Sequence, residues 1–349
     1  MKAISPATFL QTDAGEKSVL LDVRTPSEFE EGHLVHAVNL PLFDDQERAI
    51  IGTLYKQKGK QSAILEGLKI TGPKMEPLVR QALHFANGNL ISLYCWRGGM
   101  RSNSVGWLLQ TAGLKVQVIE GGYKALRAEM TKFIQTTPWK IILLGGPTGS
   151  GKTHILHRLE KEGQQVIDLE GLAHHKGSAF GWIGEEEQPT NAQFLHELYT
   201  RLRPFDPRLP IWVEAESITI GKVRIPPVFW EHMLRAPRVD ISVPNDTRLD
   251  QLVMDYGQFP KEHLIHAFSR IQKRLGGKAF KEATEAVLRG DLKKAAQLAL
   301  WYYDKTYAYA RQKANNPTLG SIQYKEGWSE IDLSPLIDLA SKNNTTQDV

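Results

Sequence analysis

"WKIILLGGPTGSGKTHILHRLEKEG", residues 139–163, decides the fold of the second half of the chain. Its first third is a continuous apolar run of the kind a buried parallel strand requires, and its last third reads as a helix that stops at Gly163. Between them, residues 146–153 satisfy G-x-x-x-x-G-K-[ST] in the strand, loop and helix setting that the motif needs. Glycines let successive N–H groups turn inward, the helix N-terminus adds positive potential, and Lys152 supplies a compact charge for a terminal phosphate. Gly146, Gly149, Ser150, Gly151, Lys152 and Thr153 are therefore the candidate diphosphate-binding residues, and Thr153 can hold Mg²⁺. The motif does not say which diphosphate is held.

Downstream, "QQVIDLEG" (164–171) and "PIWVEAES" (210–217) read as further strands of the same sheet. They place Asp168 and Glu170 at one strand end and Glu214 and Glu216 at another, where a P-loop protein keeps an acidic residue to organise Mg²⁺. Either pair can serve as metal or acid/base groups; acidic residues there are also ordinary helix caps, so no metal ligand is firmly assigned. From about residue 245 the pattern turns helical, most clearly in "DLKKAAQLALWYYDKTYAYARQK" (291–313), and the polar tail "ASKNNTTQDV" (340–349) is expected to fray. A P-loop α/β domain over 138–349, helical in its C-terminal part, is the expectation.

Upstream, "SVLLDVR" (18–24) and "NLISLYCW" (89–96) read as buried strands, "MRSNSVGWLLQTAG" (100–113) as a helix and "KVQVIEGG" (115–122) as the next strand. Strand, helix and strand in that order imply a parallel sheet, so a first α/β domain is expected over 1–132, with the boundary near 131–138. Cys95 falls at the carboxyl end of one of these strands, where ligand sites gather.

Cys95 is the only cysteine among 349 residues, which excludes an internal disulfide and any multi-cysteine zinc site. It begins a C-x5-R loop, with Arg97, Gly98, Gly99 and Arg101 following and Ser102 after. Such a loop curls N–H groups around the sulfur and adds charge, favouring a nucleophilic thiolate and an anion pocket. A lone cysteine is also among the most buried and inert of residues, but glycine, arginine and the strand-end placement favour reactivity. Two chemistries use this loop, a phosphatase that attacks a phosphoryl group and a carrier that takes sulfur or selenium onto the thiolate.

A hydrophobic share of 41%, a charged share of 23% and no apolar stretch near ~20 residues read as a globular protein with no membrane span. No secretory signal is apparent, so a cytoplasmic location is expected. The net charge of +4 favours a polyanionic partner weakly, through clusters such as "RLRPFDPR" (201–208), "RIQKRLGGK" (270–278) and "LRGDLKK" (288–294). Oligomeric state is not legible, and a monomer is the default expectation.

"LLDVRTPSEFEEGHLVHAVNLP" (20–41) and the "CWRGGMRS" loop resemble a rhodanese domain. Together with "ERAIIGTLYKQKGKQSAI" (47–64), the P-loop, "DLEGLAHHKGSAFG" (168–181), "VEAES" (213–217) and "YYDKTY" (302–307), they resemble one family, the bacterial tRNA 2-selenouridine synthases, over about residues 5–310. The resemblance implies a rhodanese-like parallel-sheet domain followed by a P-loop NTPase-like α/β domain. It implies a transferase converting 2-thiouridine at the wobble position of a tRNA anticodon to 2-selenouridine. The sulfur would first be alkylated by geranyl diphosphate and selenium from selenophosphate would then replace the S-geranyl group, with both as cosubstrates and no tightly bound cofactor. Cys95 would carry or assist the selenium, the residues at 146–153 would hold the diphosphate of geranyl diphosphate or of a nucleotide, and Asp22 and Arg24 would brace the thiol loop. A P-loop kinase or NTPase with a rhodanese sulfur relay is the alternative, and a non-catalytic tRNA-binding adaptor a third reading.

The chain departs from the family pattern at Lys176, where arginine is expected, at Ala215, where an acidic residue is common, and at His36, where glycine is usual. His174 and His175 fit loop or packing roles better than metal ligation. Trp182, Trp212, Trp230, Trp301, Tyr302 and Tyr303 are candidates to stack bases or line an isoprenoid pocket, though most are expected in the core.

Overall fold

The computed structural model describes residues 2–12, 18–324 and 331–346. The chain divides into two compact units, residues 1–135 with 195–200, and residues 136–194 with 201–349.

The first unit is built on a five-stranded sheet of β1 (Lys2–Ile4), β2 (Ser18–Asp22), β3 (Val38–Asn39), β4 (Leu90–Tyr94) and β5 (Val116–Ile119). The order is β1-β5-β4-β2-β3 and every neighbouring pair is parallel. Parallel neighbours need crossover connections, and helices supply them. Central β2 and β4 bury Leu21, Ile91 and Leu93 completely, which is why they read as near-continuous apolar runs. Helix Pro26–Glu31 starts from a capping box in which the Thr25 hydroxyl accepts from the Glu28 N–H while the Glu28 side chain accepts from the Thr25 N–H. The long helix Asp45–Thr71 is broken in the middle at Gly59, whose φ of 83° only glycine adopts freely.

The second unit carries β6 (Lys140–Gly145), β7 (Gln165–Ile167), β8 (Pro210–Glu214), the short hairpin β9 (Thr219–Ile220) and β10 (Val223–Arg224), then β11 (Arg238–Ser242) and β12 (Thr318–Gln323). Its main sheet runs β12-β11-β6-β8-β7, all parallel. The chain leaves the central β6 to build β7 and β8 on one side, then crosses to β11 and β12 on the other. The carboxyl end of β6 is thus the switch point where an open α/β sheet forms its ligand crevice. Helices Lys261–Leu275, Gly277–Arg289 and Leu292–Lys313 form a separate core with Phe180 and Ile183.

β12 lies inside the stretch that the sequence suggests is helical. It is an edge strand of exposed and half-buried residues, so it lacks the apolar run that marks β6. The polar tail is helical through Thr346, and residues 347–349 lie outside the described residues. No helix among the described residues is long and apolar enough to cross a membrane.

Candidate active sites

The strand β6 delivers the chain to a tight loop that only its glycines permit. A side chain at Gly146 would stand 2.5 Å from Ser150 Oγ and 2.8 Å from Ile241 Cγ1, and Gly149 and Gly151 have φ of 75° and 72°. Helix Lys152–Lys161 then begins, with its unpaired N–H groups facing the loop. Lys152 Nζ donates to the Gly146 carbonyl at 3.1 Å, which folds the ammonium over the loop. Ser150 Oγ is buried and has no partner among the described residues. The loop is fixed from outside by Arg248 of helix Asn245–Tyr256, whose Nε donates to the Thr148 carbonyl at 2.9 Å. Arg248 is itself held by Asp304, with one of the two bonds at 3.1 Å, and by Asn245.

Both acidic pairs lie beside this loop. Register pairs Leu144 with Glu214 and Val213 with Ile167, so residues 168–170 and 214–216 follow adjacent strand ends. Asp168 caps the helix Leu169–Leu172, accepting from the Gly171 N–H at 2.7 Å, and lies 2.8 Å from His157 Nε2. Glu214 is fully buried and accepts from the Leu169 N–H at 2.9 Å; burial, with the charges of Asp168 and Glu170, pushes its carboxyl well above the usual range. Thr153 Oγ1 donates to Glu170 Oε2 at 3.3 Å. Burial, with the charge of Glu216 against it, pushes Glu170 up to about 8 even though Lys152 opposes the shift. Among the described residues, no three His, Cys, Asp or Glu side chains gather to hold a metal ion by themselves.

A cavity of about 510 Å³ opens from the loop into the helical part of the same unit. One end is walled by residues 148–154, Glu170 and Glu216, and the other by Phe180, Leu264, Phe268, Val287, Ala295 and Ala299. Charge-seeking groups stand at one end and hydrocarbon at the other. Tyr303 lines the space, whereas Trp212 is fully buried and Tyr302 nearly so. Lys176 also lines it and pairs with Glu185 at 3.0 Å, so the ammonium that replaces the expected arginine is engaged. His175 is buried, and burial followed by the charge of Arg270 holds its imidazole below the ordinary value, consistent with a packing role.

In the first unit, Cys95 follows β4 and is only 3% exposed. Cys95 is a member of the unit's hydrophobic core, and its sulfur has one polar side-chain neighbour there, Ser102 Oγ at 3.3 Å. Burial opposes the thiolate, yet hydrogen bonds from the Ser102 hydroxyl and the Ser102 and Arg97 backbone, with the charge of Arg101, bring the thiol below its ordinary value. Arg97 is exposed. Arg101 does not point freely at an anion, because Glu28 grips it with bonds of 2.5 and 3.1 Å. Gly99 precedes the helix Met100–Thr111. Gly98, at φ 62°, packs so close to Gly121 and Gly122 that a side chain would lie 2.7 Å from the Gly121 nitrogen. Gly122 in turn would drive a side chain to 2.1 Å from the Cys95 carbonyl. Asp22 and Arg24 form a fully buried pair, with Arg24 Nη2 2.6 Å from Asp22 Oδ2, and the guanidinium lies 3.8 Å from the centre of the Tyr123 ring. Arg24 Nη2 also donates to the Gly32 carbonyl at 2.7 Å, so the pair is tied to its own surroundings in the unit's interior.

The profile of the tRNA 2-selenouridine synthase AAA domain matches residues 139–331, and that of the rhodanese-like domain matches residues 5–129. A tRNA 2-selenouridine synthase of Shewanella sp. (strain ANA-3) is 34% identical over 88% of this chain and 93% of its own length. Those of Sulfurovum sp. (strain NBC37-1) and Nitrosomonas europaea are 36% and 34% identical, over 83% and 93% of this chain and 88% and 82% of theirs. The chain belongs to the tRNA 2-selenouridine synthase family. It is therefore an enzyme of tRNA modification, with a rhodanese unit and a P-loop unit in one α/β chain. Of the tRNA 2-selenouridine synthase elements quoted from sequence, "YYDKTY" acquires a role: Asp304 holds the arginine that holds the phosphate loop, and Tyr307 OH binds Arg238 and Asp240 next to Gly145. Arg248 and the Gly121–Gly122 pair were not singled out from sequence. Only the glycine pair left a local signal, in "EGG" after a strand.

Proposed function

We propose that the protein replaces the sulfur of 2-thiouridine at the tRNA wobble position by selenium, through an S-geranyl intermediate, with geranyl diphosphate and selenophosphate as cosubstrates. The observation that carries this reading is the cavity joining a phosphate loop to an apolar gallery. A nucleotide would bring a polar base and ribose into contact with Phe180, Leu264, Phe268 and Val287, whereas an isoprenoid buries hydrocarbon there. The volume also falls within the roughly 300–1,000 Å³ of small-molecule pockets.

In the first step the thiocarbonyl sulfur attacks C1 of the allylic diphosphate. The S–C bond forms as the C–O bond breaks, and the electron pair leaves with diphosphate. Charge grows on the departing oxygens, so the N–H groups of residues 149–153, the Ser150 hydroxyl and Lys152 stabilise the transition state more than the bound substrate. Hard oxygen donors on Thr153, Glu170 and Glu216 fit Mg²⁺, and a divalent cation would offset the burial and the Glu216 charge that together raise the Glu170 carboxyl. Such an ion would neutralise the diphosphate. In the second step the selenium of selenophosphate adds at C2, geranyl thiolate leaves with the electron pair of the C2–S bond, and water takes the phosphoryl group from selenium as phosphate. Geranyl thiolate is a better leaving group than the sulfur of the unalkylated thiocarbonyl. Cys95, whose thiol is brought below its ordinary value in the other unit, would assist that transfer with the selenium staying at the selenide level.

Lys152→Ala should abolish both geranylation and selenation of a thiolated anticodon stem-loop, followed by mass spectrometry, with geranyl diphosphate binding weakened at least tenfold by calorimetry. Retained geranylation would show the loop misassigned. Tight ATP binding with tRNA-stimulated hydrolysis and no response to geranyl diphosphate would favour an NTPase.

A further inference from the structure

Helix Leu292–Lys313 has two differently furnished faces. Ala299, Tyr303, Thr306 and Ala310 line the cavity. Trp301, Lys305, Tyr309 and Lys313 follow one another at intervals of four, so successive members turn by only about 40° and form one outer ridge. Trp301 is 54% and Tyr309 59% exposed, unusual for large aromatic rings so close together. Lys305 Nζ lies 3.6 Å from the centre of the Trp301 ring, and Lys313 Nζ 4.4 Å from that of Tyr309. Among the described residues neither ammonium enters an ion pair.

We propose that this ridge is a docking surface for a single-stranded loop of the tRNA substrate, with Trp301 and Tyr309 stacking bases and Lys305 and Lys313 meeting phosphates. Flat rings interleaved with cations are what single-stranded RNA binds, because every base has a π-face and every linkage a charge. Eight residues of helix separate the two rings by ~12 Å, too far for neighbouring bases stacked at ~3.4 Å and suited to a splayed loop. A protein partner seeking apolar anchors would bury two unpaired ammonium groups along with the rings, whereas in RNA the lysines swing off the rings to phosphates and leave the faces to the bases. The inference rests on tRNA as the substrate and is independent of which diphosphate fills the cavity.

The test is fluorescence anisotropy of a labelled anticodon stem-loop with the full-length protein across a salt series. Trp301→Ala and Tyr309→Ala should each raise Kd roughly tenfold. Lys305→Gln combined with Lys313→Gln should lower the slope of log K against log salt by about 1.4. Circular dichroism reports the fold, which these exposed substitutions should leave intact. Unchanged Kd and salt slope in all variants, or equal competition by a fully paired RNA duplex, would overturn the ridge while leaving tRNA as substrate. Failure of the unsubstituted protein to bind the stem-loop would overturn both.

Discussion

Glu170 shows how one residue's surroundings convert into a measurable property. Its carboxyl, buried beside Glu216, titrates at about 8 in the folded protein against an ordinary 4.5. The folded state therefore holds the proton more tightly, so this contribution to stability is complete below about 4.5 and is lost as pH rises through about 8. Glu170→Gln removes the titration. Between pH 5 and 8.5 the unsubstituted protein should lose on the order of 3 kcal/mol more than the variant, read from urea midpoints, and parallel pH profiles would refute the assignment. Sequence alone put Glu170 and Glu216 at strand ends but could not tell that they meet, because strand order sets their approach. His36 was legible in the opposite way. The position where the resemblance implies glycine carries φ 69°, a left-handed backbone that a histidine tolerates at some cost.

Among the elements, those that depend on local pattern were legible: β6, its loop and the helix after it lie within 25 consecutive residues and agree with the sequence reading. The gallery was not, because Ala295 and Ala299 look like any helical alanines until three helices enclose them. On helix Leu292–Lys313, Ala299 stands one turn beyond Tyr303 and Ala295 a further turn, so the alanines measure depth from the phosphate end. Ala299→Phe should close the gallery one turn in. We expect KM for geranyl diphosphate to rise more than tenfold while dimethylallyl diphosphate, with half the carbons, becomes the better substrate. Equal losses for both chain lengths would show that the residue does not gauge length. Arg248 was equally hidden, since its partners Thr148 and Asp304 lie 100 and 56 positions away.

For the whole molecule, two units carry the two loops proposed to receive anions, one built around a thiol and one around the G-x-x-x-x-G-K-T turn. The first was legible because glycines and arginines crowd the only cysteine at a strand end, a setting that favours thiolate, although its burial and the capture of Arg101 by Glu28 were not. If the chemistry is divided as proposed, Cys95→Ser should stop selenium incorporation and let S-geranylated tRNA accumulate to near-stoichiometric levels, followed by mass spectrometry. Normal selenouridine in that variant would remove the thiol from the pathway. The order of the second sheet also bears on how the protein is made. Ile142 and Leu144 of β6 share their core with Ile331, Leu333, Leu336 and Ala340, the last of which emerges from the ribosome almost two hundred residues later. At ~5–20 residues per second the nascent sheet waits roughly 10–40 s for its cover, an interval in which its greasy side is open to chaperones or to other unfinished chains.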